Sequence, residues 1–183
     1  MRTKFFRNLL TLAVAIGLLV LFSAGASAKK SDAADEALST YKNFVSLCHN
    51  QNANAWLLIS DYSRGFLCEL IAKSANNKSD GSVNISAKDI DTILSNPDLE
   101  LTKEMWSEVK LGDMFTSLEL SNPVASFDGS RVTISSRAAK DDDIPIVMVN
   151  DGNGWKVGFI ESFEAVGITP ELFEAFVEQQ SAE

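Results

Sequence analysis

No cysteine precedes Cys48, which excludes lipid attachment at a cysteine beside a signal cleavage site. No apolar run reaches the roughly 18 residues of a spanning helix, and the longest, Leu9 to Phe22, falls short. Basic residues are scarce beyond the N-terminus. Arg2, Lys4 and Arg7 are three of the 16 basic residues, and none of the 25 acidic residues lies before position 29. Beyond residue 28 that leaves 13 basic against 25 acidic residues, a net charge of −12. Nucleic acid and anionic membrane surfaces both need a basic face to displace counterions or to be attracted, so neither is an expected partner. There is one histidine, His49. It adjoins Cys48, but neighbouring residues on a helix point about 100° apart, which disfavours a thiol nucleophile with His49 as its base. No repeat, low-complexity segment or shift in composition divides the chain.

The N-terminus has a pattern of its own. Basic residues, the apolar segment from Leu9 to Phe22 and then Ala26-Ser27-Ala28 form the pattern of a secretory signal peptide, with cleavage expected after Ala28. The alternative is an uncleaved anchor, for which the apolar run is short. The expected organisation is a signal peptide over 1–28 and one domain over 29–183, exported to a periplasm or the exterior, with no membrane span after cleavage. The 155 residues that remain suit one domain with a sizeable core. In such a compartment Cys48 and Cys68, on apolar faces of consecutive helices, are expected to pair as a disulfide.

Residues 29–34 read as a polar lead-in. Ala34, Ala37, Leu38, Tyr41, Phe44, Val45 and Cys48 then recur at three- and four-residue steps, the stripe of a helix ending near His49. Asn54 to Ala75 reads as a second helical region, broken near Ser60-Asp61, in which Gly65 would let the first helix approach closely. Arg64 is expected to carry its charge to the surface. SANNKSDGS over 74–82 is a loop by composition. Asn77-Lys78-Ser79 and Asn84-Ile85-Ser86 fit the glycosylation sequon, which matters only in a glycosylating host. Ser86 with Asp89 opens a helix that stops before Pro97, and another runs from about Thr102 to Lys110.

From Phe115 the period changes to two. Phe115 to Phe127, interrupted at Asn122-Pro123, and Arg131 to Arg137 read as strands. Ile144 to Asn150 and Trp155 to Phe163 flank Asp151-Gly152-Asn153-Gly154, whose residues tolerate the positive φ of a tight hairpin turn. Gly167 closes the last strand, and Thr169 caps a final helix with Pro170 at its first position. Helices first and strands later favour α+β, with N-terminal helices packed on an antiparallel meander and a short C-terminal helix.

The run Ile144-Pro145-Ile146-Val147-Met148-Val149, then Asp151-Gly152 and Trp155-Lys156-Val157, after a helical hairpin and a third helix, resembles the cystatin-like α+β roll of nuclear-transport-factor-two-like proteins. That resemblance implies a curved, cone-shaped roll around a pocket, and frequent dimerisation through the sheet. It implies functions as varied as isomerase, cyclase, lipid carrier or interaction domain, so the fold constrains function little. Enzymes of the family set Asp, Tyr or His in the pocket, and no such set maps here. His49 lies near a helix end, and Tyr41 and Tyr62 lie on helices that supply core packing.

Glu161 shares a face with Trp155, Val157, Phe159 and Phe163 in the expected last strand. Burial would make it a general base or a polar anchor, whereas at the rim it would pair with Arg64 or Arg137. Trp56, Met105, Trp106, Met148 and Phe159, with Glu161, are the candidate pocket lining, and their alternative role is to fill the core. Asp141-Asp142-Asp143 and Asp151-Gly152-Asn153 offer oxygens for a hard cation, but the two turns stand about 20 Å apart across a strand, so solvated turns are expected and no metal or cofactor is implied. Three functions follow: an exported, non-enzymatic domain binding a small apolar or amphipathic ligand or a protein partner; an isomerase- or cyclase-like enzyme with Glu161 as base; and a dimerising interaction domain whose pocket is filled.

Overall fold

The computed structural model describes residues 28–78, 84–107, 111–116, 118–138 and 143–181. The signal segment, Ser79, Asp141 and Asp142 lie outside them, as do the side chains of Ala28 and of Phe176 and Val177 in the final helix. The chain is a mixed α+β domain, with helices first, then a four-stranded antiparallel sheet, then a short C-terminal helix.

Helix α1, Ala28–His49, starts earlier than its apolar stripe. The segment read as a polar lead-in is helical: its two alanines and two lysines are good helix formers and it holds no Gly or Pro. Along α1, Ala37, Tyr41, Phe44 and Cys48 are buried, as their spacing requires. A 3-10 turn, Ala53–Leu58, follows, and the Asn52 side chain caps it by accepting the Asn54 N–H at 3.0 Å. Helix α2, Asp61–Lys78, comes next, so the break at Ser60-Asp61 is real. Gly65 is a correction: it faces open space. The close approach to α1 is made by Gly112 in helix α5, Leu111–Thr116, where a Cβ would lie 2.3 Å from the Cys48 carbonyl oxygen.

Between them, α3, Ala87–Leu94, carries the expected capping box, with Ser86 and Asp89 each bonding the other's backbone N–H. Helix α4 spans Glu100–Ser107, with the rest of its expected extent outside the described residues. Phe115 and Thr116, expected to open a strand, instead close α5. They are helical because Leu111 and Phe115, four apart, share a face, and Phe115 reaches Phe44 of α1 at 5.5 Å between ring centroids.

The strands β1, Pro123–Phe127, β2, Val132–Ser136, β3, Ile146–Asn150, and β4, Trp155–Gly158, lie in sequence order as an antiparallel meander. The β3–β4 hairpin closes through Asp151–Gly154 as expected, with Asn153 N–H donating to Asp151 at 2.9 Å and Gly152 and Gly154 at φ of 88° and 116°. Helix α1 lies against β1, β2 and β4. Beside β4, Ile59 forms a parallel bridge to Val157, and Ser60 N–H donates to the Val157 carbonyl at 2.9 Å.

The last strand is shorter than its alternation suggested. After Gly158 the chain turns into helix α6, Phe159–Ala165, so Glu161 and Phe163 are not strand residues. Phe159, Ile160 and Phe163 also satisfy a helical face, and packing selects that face: the Phe159 and Phe163 rings, four apart, meet edge to face at 5.2 Å. Gly167, at φ 84°, therefore ends a helix instead of a strand. Helix α7, Pro170–Ser181, begins as expected, with Leu172 N–H directed at Thr169 Oγ1 at 3.4 Å.

The disulfide is a second correction. Cys48 and Cys68 are both buried free thiols. Cys48 lies in the last turn of α1, where its carbonyl faces Gly112 of α5, and Cys68 lies on α2 within the influence of Arg64 and Asp91. Burial pushes both thiols up to about 12, which leaves neither a nucleophile at neutral pH.

Candidate functional site

Glu161 stands where two helices start. Gly158, the residue before α6, has no side chain with which to cap it, and Ser60 immediately precedes α2. Ser60 Oγ accepts the N–H of Ser63 at 3.1 Å, the ordinary capping bond. Ser63 Oγ accepts the N–H of Ile160 at 2.9 Å, so a side chain of α2 caps α6. Both hydroxyls then donate to Glu161, Ser60 to Oε1 at 2.6 Å and Ser63 to Oε2. The carboxylate thus lies at the positive ends of both helices, where a negative charge is favoured.

This arrangement determines what Glu161 can do. Both of its oxygens are occupied, and its partners are hydroxyls instead of Arg64 or Arg137. Ser60 and Ser63 are buried at 3% and 0% exposure, which keeps both hydroxyls away from an incoming substrate. Next to them, Ser162 Oγ donates to the Gly158 carbonyl at 2.5 Å and accepts the Val147 N–H at 2.9 Å, tying α6 to β3. Gly158 is confined as well, since a Cβ there would meet Glu161 Cβ and the Val147 carbonyl oxygen, each at 3.0 Å.

The other candidate residues belong to the core. Trp56, Trp106, Met148 and Phe159 are 0–1% exposed within one core, and Met105 packs against it half-buried. Phe115 joins two of them, stacking on Trp106 at 6.3 Å and meeting Phe159 edge-on at 5.2 Å. Met148 stands between Val132 and Val157 in the sheet, while Trp56 sends its indole N–H to Asp91 at 3.3 Å. Asp91 also receives Ser95, and Arg64 bonds Asp61 at 2.6 Å with Asp91 3.9 Å away. Arg64 is thus a link between helices and not only a surface charge.

Tyr41 is the polar residue of the core that sequence reasoning assigned to packing alone. Its phenol donates to the Leu118 carbonyl at 3.0 Å and accepts the Leu120 N–H at 2.9 Å, and burial raises it to about 12. Its position on an apolar stripe gave no sign of the chain segment it would hold.

At the surface, a shallow groove of about 400 Å³ runs beside the end of α1, where His49 meets Glu119 at 2.9 Å above Val45, Leu120 and Pro123. Among the described residues no three His, Cys, Asp or Glu side chains are grouped to hold a metal ion. No described helix is long and apolar enough to cross a membrane. No family model matches this chain, and no curated protein or solved structure matches it.

Proposed function

We propose that residues 29–183 form an exported, non-enzymatic domain, a cone-shaped roll of the kind its sequence resembles, that works by engaging a protein partner with its surface. The observation that carries this reading is the state of the expected pocket lining: Trp56, Trp106, Met148 and Phe159 are 0–1% exposed and pack into one core. An interior filled by its own side chains has no room for a ligand, and replacing such packing by a guest would forfeit the contacts the rings make with one another. Against the isomerase or cyclase reading, Ser60 and Ser63 anchor Glu161 at two helix starts, where its charge serves the fold.

The test is a titration of residues 29–183 with lauric acid, followed by tryptophan emission below the micelle threshold. A filled interior predicts no saturable change. A stoichiometric, saturable shift would transfer the protein to the ligand-carrier reading.

A further inference from the structure

Four large apolar side chains are exposed among the described residues, and two of them, Tyr62 at 50% and Leu172 at 46%, stand in the first turns of α2 and α7. Helices α2 and α7 meet through Phe66 and Phe173, whose rings lie 6.0 Å apart, and the Tyr62 phenol donates to Glu164 of α6 at 2.9 Å. Glu164, Glu161 and Glu171 all bear on the same phenol oxygen, which the Glu164 hydrogen bond, burial and those charges hold above its ordinary pKa. Among the described residues, the charges that bear on it are carboxylates. Arg64, two positions along the same helix, is bonded to Asp61 at 2.6 Å. An exposed aromatic ring with an aliphatic neighbour and carboxylates of one sign is complementary to a cation carried beside an apolar group.

We propose that the corner formed by Tyr62, Leu172, Glu164 and Glu171 is the docking surface for a partner protein, taking a segment in which a lysine or arginine stands next to an apolar residue. The cation lies over the Tyr62 ring among the glutamates, and the apolar neighbour covers Leu172. A second copy of this chain is a poor occupant, because a two-fold interface through this corner sets the same carboxylates against each other. Leu99 and Leu101, the other two exposed apolar side chains, offer no aromatic face. The inference rests on the partner-binding reading above.

The experiment uses residues 29–183 labelled with nitrogen-15, and as probe a blocked pentapeptide of alternating leucine and arginine, with the matching leucine–glutamate peptide as control. The expected result is saturable shifts at Tyr62, Glu164, Glu171 and Leu172 with the arginine peptide alone, weakening as salt rises. Tyr62→Ala should weaken binding about tenfold, Tyr62→Phe, which keeps the ring, less than about threefold, and Glu171→Gln about threefold. A dispersed spectrum verifies that each variant is folded. Shifts scattered over the acidic surface, or unchanged binding by Tyr62→Ala, would overturn the proposal. If the corner fails while lauric acid still finds no site, this inference alone falls. If lauric acid binds inside while the peptide holds the corner, the filled-interior reading falls and the docking surface stands.

Discussion

The hydroxyl of Ser63 donates to the carboxylate of Glu161 while accepting the N–H of Ile160, so one buried side chain of α2 caps the helix that carries its own acceptor. The two helix starts stabilise each other. Ser63→Ala leaves the Ile160 N–H without a partner and should cost about 2 kcal/mol in urea unfolding. Glu161→Gln, which keeps the shape and loses the charge, should cost about 1 kcal/mol. The double variant should lose less than the sum, with a coupling of about 0.5 kcal/mol or more. Strict additivity would mean that the two residues act independently.

Two glycines should respond with opposite signs to the same substitution. Gly112→Ala forces a methyl group into the Cys48 carbonyl oxygen 2.3 Å away, and should destabilise by about 2 kcal/mol as α1 and α5 are pushed apart. Gly65→Ala, in the interior of α2 with nothing within 4 Å of the new methyl, should stabilise by about 0.5–1 kcal/mol. Thermal unfolding of the pair decides it, and equal effects would contradict the packing described here.

The structure also predicts a loss of stability in alkali. Tyr41, Cys48 and Cys68 are each raised to about 12 in the folded chain from ordinary values of 10.0 for the phenol and 9.0 for the thiols. The folded state therefore keeps protons that the unfolded state releases. Their contribution is complete below about pH 9 and falls as pH rises towards 12. Tyr41→Phe should be less stable near neutral pH, having lost the bonds to Leu118 and Leu120, but should have a shallower decline between pH 10 and 12. An identical slope would contradict this assignment.

Both thiols should resist a disulfide exchange reagent at pH 8 while the chain is folded, and two should react on denaturation without reductant. Finding none would restore the bridge expected from the sequence.

Where one periodicity was compatible with the residues, it was decisive. The α1 stripe through Tyr41 and Cys48, the Ser86–Asp89 box and the Asp151–Gly154 turn are local patterns with local causes, and all are present. The segment Trp155 to Phe163 fits both periods. Only long-range packing, Phe159 on Phe115 and Ser63 on Ile160, selects a helix after Gly158. Glu161 was recognised as a polar residue among aromatics, but its partners are about a hundred positions away in the chain: Ser60 is separated from it by 101 residues. Nothing local distinguishes those two serines from others at helix starts. Trp56, Trp106, Met148 and Phe159 are large buried side chains and Met105 is half-buried, but whether such residues surround a space or fill it depends on how Phe115 sits between Trp106 and Phe159.

The most direct test of the filled interior is a native mass spectrum of the protein expressed at full length in an exporting host, followed by a denaturing spectrum of the same sample. The account predicts a denatured mass of residues 29–183, and a native mass equal to that chain or a whole multiple of it. A native species heavier by one small molecule of fixed mass, lost on denaturation, would contradict it.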